Sequence, residues 1–128
     1  MTQRDSGGES PDVVFEFEHD ESAPRAARRA LAHIVESDAF ADDVNLVATE
    51  LVSNVVRHTA DGGRLNAWDN NPFRVEVHDS SQELPVTRPA TAHGGRGLRL
   101  VDALSSDWGA ETLTDGKVVW AEIERPSD

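Results

Sequence analysis

Glu50, Asn54 and His58 set a carboxylate, a carboxamide and an imidazole at intervals of four residues, a spacing that stacks side chains along one face of a helix. Counting about 100° per residue from Val44, the apolar residues Val47, Ala48, Leu51 and Val55 fall within about 60° of it. On the same count Glu50 falls at about 240°, Asn54 at about 280° and His58 at about 320°. The three polar groups therefore line one edge of the apolar stripe. A polar group left desolvated and unpaired at such an edge costs roughly 1–3 kcal/mol, and a bound ligand or metal ion is one source of partners. The bland alternative is a solvated flank of an amphipathic helix. Two downstream segments weigh against it: Val75-Glu76-Val77-His78-Asp79, which ends on a carboxylate, and Gly94-Gly95-Arg96-Gly97-Leu98, which is glycine-rich.

These residues need elements to position them. Residues 1–12 are polar, with Gly7, Gly8 and Pro11, and read as a disordered leader. Residues 13–125 read as a single domain. Val13 to Glu18 mixes β-branched and aromatic residues in partial alternation, the pattern of a strand. Ser22 and Pro24 supply a hydroxyl cap and a first-turn proline, and Ala27, Ala30, Leu31, Ile34 and Val35 form a helical stripe that predicts a helix to about Glu36. A second helix is expected from Ala41 to His58, with Asp42 and Asp43 at the positive end of its dipole. Two alternating segments, Leu65–Asp69 and Phe73–His78, flank Asn70-Asn71-Pro72 and predict a hairpin. The stretch from about residue 80 to 96 carries Pro85, Pro89, Gly94 and Gly95 and is expected to be a binding loop or lid. A short helix from Gly97 to Ser105 and a closing hairpin, Trp108–Leu113 with Lys117–Glu124, complete the chain. This order predicts an α+β two-layer sandwich, with helices on one face of a mainly antiparallel mixed sheet.

Composition narrows the function classes. With 24 acidic against 12 basic residues and a net charge of −12, the chain would repel a phosphate backbone, so nucleic acid is not an expected partner. No apolar run approaches the ~18 residues of a membrane span and no secretory signal stands at the start, so a cytoplasmic protein with no membrane partner is expected. The absence of cysteine rules out disulfides, thiol catalysis and cysteine-ligated zinc.

Taken together, Glu50…Asn54…His58 on a helix, Asp79 ending a strand, and Gly95-Arg96-Gly97-Leu98 opening a helix resemble the GHKL superfamily of ATP-binding domains (the Bergerat fold). Within it the chain is similar to the stand-alone anti-sigma factor serine/threonine kinases of bacteria. The resemblance covers roughly Val13 to Glu124. It implies ATP as substrate with Mg²⁺, and it implies Asn54 as the magnesium ligand, consistent with an ion that takes few protein ligands. It implies Glu50 as the general base for an attacking hydroxyl. His58 is placed at the phosphate side, with a helix-end histidine favouring the dipole as the alternative. Asp79 would accept the exocyclic amino hydrogen of adenine, the alternative being an aspartate that starts a turn. Gly94, Gly95 and Gly97 would admit phosphates close to the backbone at a helix start, with Arg96 adding a cation.

The chain departs from the family pattern in two places. Ser81 stands where the adenine-side Asp-x-Gly signature has glycine, and Val118 is expected to stand where a threonine in the last hairpin contacts the base. The resemblance implies phosphorylation of serine or threonine on an antagonist protein and capture of a sigma factor, and allows a homodimer. The alternative is a weak or inactive module of the same fold that works by partner capture. The ATPase domain of a histidine kinase or of a topoisomerase-like machine fits less well, since 128 residues leave no room for their additional domains.

Overall fold

The protein is described by a computed structural model covering residues 9–36, 38–83 and 96–126. Its elements run β1 (Val13–Phe17), α1 (Ala23–Leu31), α2 (Ala39–His58), β2 (Gly63–Trp68), β3 (Phe73–Asp79), α3 (Arg96–Leu104), β4 (Asp107–Leu113) and β5 (Gly116–Ile123). The five strands form one sheet in the order β1-β2-β3-β5-β4, and each neighbouring pair is antiparallel. The expected two-layer α+β architecture is present, with an antiparallel sheet.

The two layers follow from strand alternation. Leu65, Ala67, Val75, Val77, Val119, Ala121 and Ile123 project from one face and join Leu31, Val44, Val47, Ala48, Leu51, Val52 and Val55 of the helices in a single buried core. Each such side chain contributes on the order of 1.5–3 kcal/mol when fully buried. The other face carries charge: Arg74 donates from Nε to Glu76 at 2.9 Å and from Nη1 to Glu122 at 2.9 Å, while its guanidinium lies 4.6 Å from the centre of the Trp120 ring.

Two helix boundaries differ from expectation. α1 ends at Leu31 rather than near Glu36, because Ile34 and Val35 continue the apolar stripe from a turn, their amides donating to the Leu31 carbonyl at 2.9 and 3.1 Å. They still pack on the core, so burial alone mimics helical periodicity. Ser22 occupies the cap position without a side-chain cap; the Asp20 carboxylate instead accepts the Ser22 amide at 2.8 Å. α2 begins at Ala39, two residues early, because Asp38 is extended and its carboxylate accepts the Ala41 amide at 2.9 Å, a side-chain cap on the first free donors.

Candidate nucleotide site

Three elements carry the residues singled out in the sequence, and they adjoin. α2 packs against α3 and lies across β2, β3 and β5. Its buried face is Phe40, Ala41, Val44, Val47, Ala48, Leu51, Val52 and Val55, which leaves Glu50 and Asn54 half-buried along the stripe's edge and His58 exposed at the helix end. Leu98 of α3 is buried. Gly94, Gly95 and most of the expected lid lie outside the described residues, and Arg96 and Gly97 are placed only as the backbone that begins α3.

Both polar groups on the α2 edge meet Arg57. Its Nη2 donates to Asn54 Oδ1 at 3.0 Å and stands 4.0 Å from Glu50 Oε1. The contact arises from the i, i+3 spacing of Asn54 and Arg57, which brings their side chains onto one helical surface. The Arg57 side chain is 53% exposed, so it can leave at little cost. What remains is the neutral Asn54 oxygen with a carboxylate one turn before it, and such an oxygen suits Mg²⁺, which completes its shell with water and phosphate oxygens.

Asp79 is the last residue of β3, and its row in the sheet runs Gly63, Asp79, Lys117, Thr112. Counting alternation from Val77, this row faces the helices, so the carboxylate lies on the helix side of the sheet. The antiparallel register sets Lys117 directly opposite. Lys117 Nζ donates to Oδ1 at 3.0 Å and to Oδ2 at 2.8 Å, and the Ser81 amide donates to Oδ1 at 2.8 Å. The side chains are 1% and 9% exposed for Asp79 and Lys117.

That register corrects one expectation. Val118 is not the hairpin residue beside Asp79: it pairs with His78 and Glu111, and alternation turns it to the opposite face of the sheet. The residue in that place is Lys117. Close approach there depends on Gly116, where a Cβ would sit 1.9 Å from the Asp79 carbonyl oxygen. Ser81 is half-buried and closes an Asx-type turn on Asp79. Its Oγ accepts the Glu83 amide at 3.1 Å, and Gln82 Nε2 donates to the carbonyls of Leu113 and Thr114 at 2.6 and 3.2 Å. The segment leaving β3 is thereby tied to the β4–β5 turn.

Residues 15–123 match the histidine kinase-like ATPase domain family. The chain belongs to that family. This GHKL-type domain is 33% identical over 82 residues to an uncharacterized protein of Streptomyces coelicolor, a match covering 58% of this chain and 78% of the relative. Its fold is similar to the histidine kinase domain of the blue-light activated histidine kinase of Erythrobacter litoralis, with a TM-score of 0.52 and 20% identity over 80% of this chain. The histidine kinase-like ATPase domain described here spans 59% of the length of that solved chain. Against the histidine kinase domain of the E. coli osmosensor EnvZ the TM-score is 0.45 at 13% identity, covering 96% of this chain and 94% of that one.

The family implies ATP, and the two ends of the site differ in their fit to it. The α2 edge suits magnesium and phosphate once Arg57 moves aside. The base end fits less well: the carboxylate expected to accept an amino hydrogen is held by a buried ammonium and a backbone amide. Lys117 and Arg57 are not among the residues that the sequence singles out. For Lys117 a signal exists, since a lysine inside an apolar strand requires a partner; for Arg57 it is the three-residue spacing from Asn54.

Proposed function

We infer that this domain is a regulatory protein kinase of the anti-sigma type, binding Mg-ATP and transferring its γ-phosphoryl group to a serine or threonine of an antagonist protein. The observation that carries this reading is the α2 edge, where Glu50 and Asn54 stand one turn apart on the helix that packs against α3, in a chain of the histidine kinase-like ATPase family. Asn54 Oδ1 would hold magnesium, which neutralises charge on the phosphates. Glu50 would accept the proton from the attacking hydroxyl as its oxygen bonds to the γ-phosphorus and the bond to ADP breaks. A sigma factor is the proposed second partner, held in competition with the antagonist. Incubation with Mg-ATP and a candidate antagonist tests this: phosphotransfer that Glu50→Ala removes while nucleotide binding persists supports it, and undiminished transfer by that variant overturns the role of Glu50.

A second reading is favoured by the base end. With Asp79 held by Lys117, a module that captures its partner without phosphotransfer is consistent with the same fold. Partner binding that is indifferent to nucleotide, with no phosphoprotein formed, distinguishes it.

A further inference from the structure

The Asp79–Lys117 pair bears on which base the cleft accepts, an inference that rests on the cleft being a nucleotide site. A carboxylate offers about four lone-pair positions, and three contacts already fall on Asp79: the Ser81 amide and Lys117 Nζ on Oδ1, and Lys117 Nζ again on Oδ2. The lysine contacts are charge-assisted, roughly twice as strong as a neutral hydrogen bond. One position remains, but the Asp79 side chain is only 1% exposed, so an amino group on a base would reach the carboxylate only by displacing a nearly buried ammonium and leaving it unpaired in the sheet. The ammonium carries a third N–H, and no other partner meets it among the described residues. That donor suits a carbonyl oxygen or a ring nitrogen of a purine equally well.

We propose that Lys117 is the residue that sets base specificity in this cleft: by occupying Asp79 it removes selection for the 6-amino group, so 6-oxo purine nucleotides bind as well as adenine nucleotides. The pair is built into the fold. The β3–β5 register places Lys117 opposite Asp79, and Gly116 lets β5 start against the Asp79 backbone.

The test is a calorimetric comparison of ATP, GTP and ITP, each with magnesium, on the natural chain and on Lys117→Thr. The expected result is dissociation constants within about threefold of one another for the natural chain, and a preference for ATP of at least about tenfold in Lys117→Thr. A tenfold or larger preference for ATP in the natural chain overturns the proposal while leaving nucleotide binding intact. Binding of ATP by Lys117→Thr alone also overturns the proposal, since Lys117 would then close the cleft to every purine rather than broaden its choice. No binding by either protein overturns both. Should Lys117→Thr fail to fold, the double variant Asp79→Asn, Lys117→Met removes both charges together. Its affinities for ATP and GTP are expected to stay within about threefold of one another, and a preference for ATP of about tenfold would overturn the proposal by showing that base choice is set outside the pair.

Discussion

Arg57 Nη2 donates to Asn54 Oδ1 at 3.0 Å, the oxygen that the proposed function assigns to magnesium. A guanidinium and a divalent cation compete for that oxygen, since two positive charges so close repel one another. The arginine is exposed, so its hold is worth only about 0.5–1 kcal/mol. Arg57→Ala is therefore expected to lower the magnesium concentration for half-maximal nucleotide binding by roughly two- to fivefold. Titration of magnesium at fixed ATP reads this directly; an unchanged midpoint would show that the arginine does not compete.

Asn54→Ala removes the oxygen itself. Because the residue lies at the edge of the core rather than in it, stability is expected to change by no more than about 0.5 kcal/mol. The magnesium dependence of ATP binding should disappear, so that titrations with magnesium and with a chelator coincide.

The outer face of the sheet makes a separate prediction. Arg74, Glu76 and Glu122 are all buried, and Arg74 bridges the two carboxylates. Removing one partner of a buried ionic network strands the others, at a cost of about 3–5 kcal/mol. Arg74→Ala should lower the urea midpoint correspondingly, with little change in the slope. A loss below about 1 kcal/mol would show the network to be solvated in solution.

Legibility in the sequence differs by element. Strand alternation locates β2 and β3 because a sheet with one face on the core writes period two into the chain. Ile34 and Val35 mislead because packing rewards apolar residues in a turn as much as in a helix. The α2 edge is legible because helix geometry is local: Glu50, Asn54 and His58 are fixed relative to one another by the helix alone. The Asp79–Lys117 pair is not, since it spans 38 residues and depends on strand register, which a shift of one residue would reverse. That is why sequence alone points to Val118 beside Asp79, where the fold sets Lys117.

Acid should weaken the fold through Glu76. Burial pushes its carboxyl up, but hydrogen bonds from His78 and Arg74 together with their charges outweigh this and hold it below the ordinary value of 4.5. A carboxyl lowered in the folded state contributes stability that is complete above the unfolded value and is lost as pH falls through the folded one. Urea unfolding between pH 7 and 3 should therefore show stability falling below about pH 4.5, with a shallower fall in Glu76→Gln. Equal slopes in the two proteins would place the acid sensitivity elsewhere.

Magnesium-dependent binding of ATP to the natural chain tests the central claim most directly, because every role proposed for Glu50, Asn54 and the cleft requires it. Calorimetric titration is predicted to show saturable binding between micromolar and sub-millimolar ATP that weakens at least about tenfold when magnesium is chelated. Absence of binding up to millimolar Mg-ATP would contradict the kinase assignment and leave a partner-capture module of the same fold.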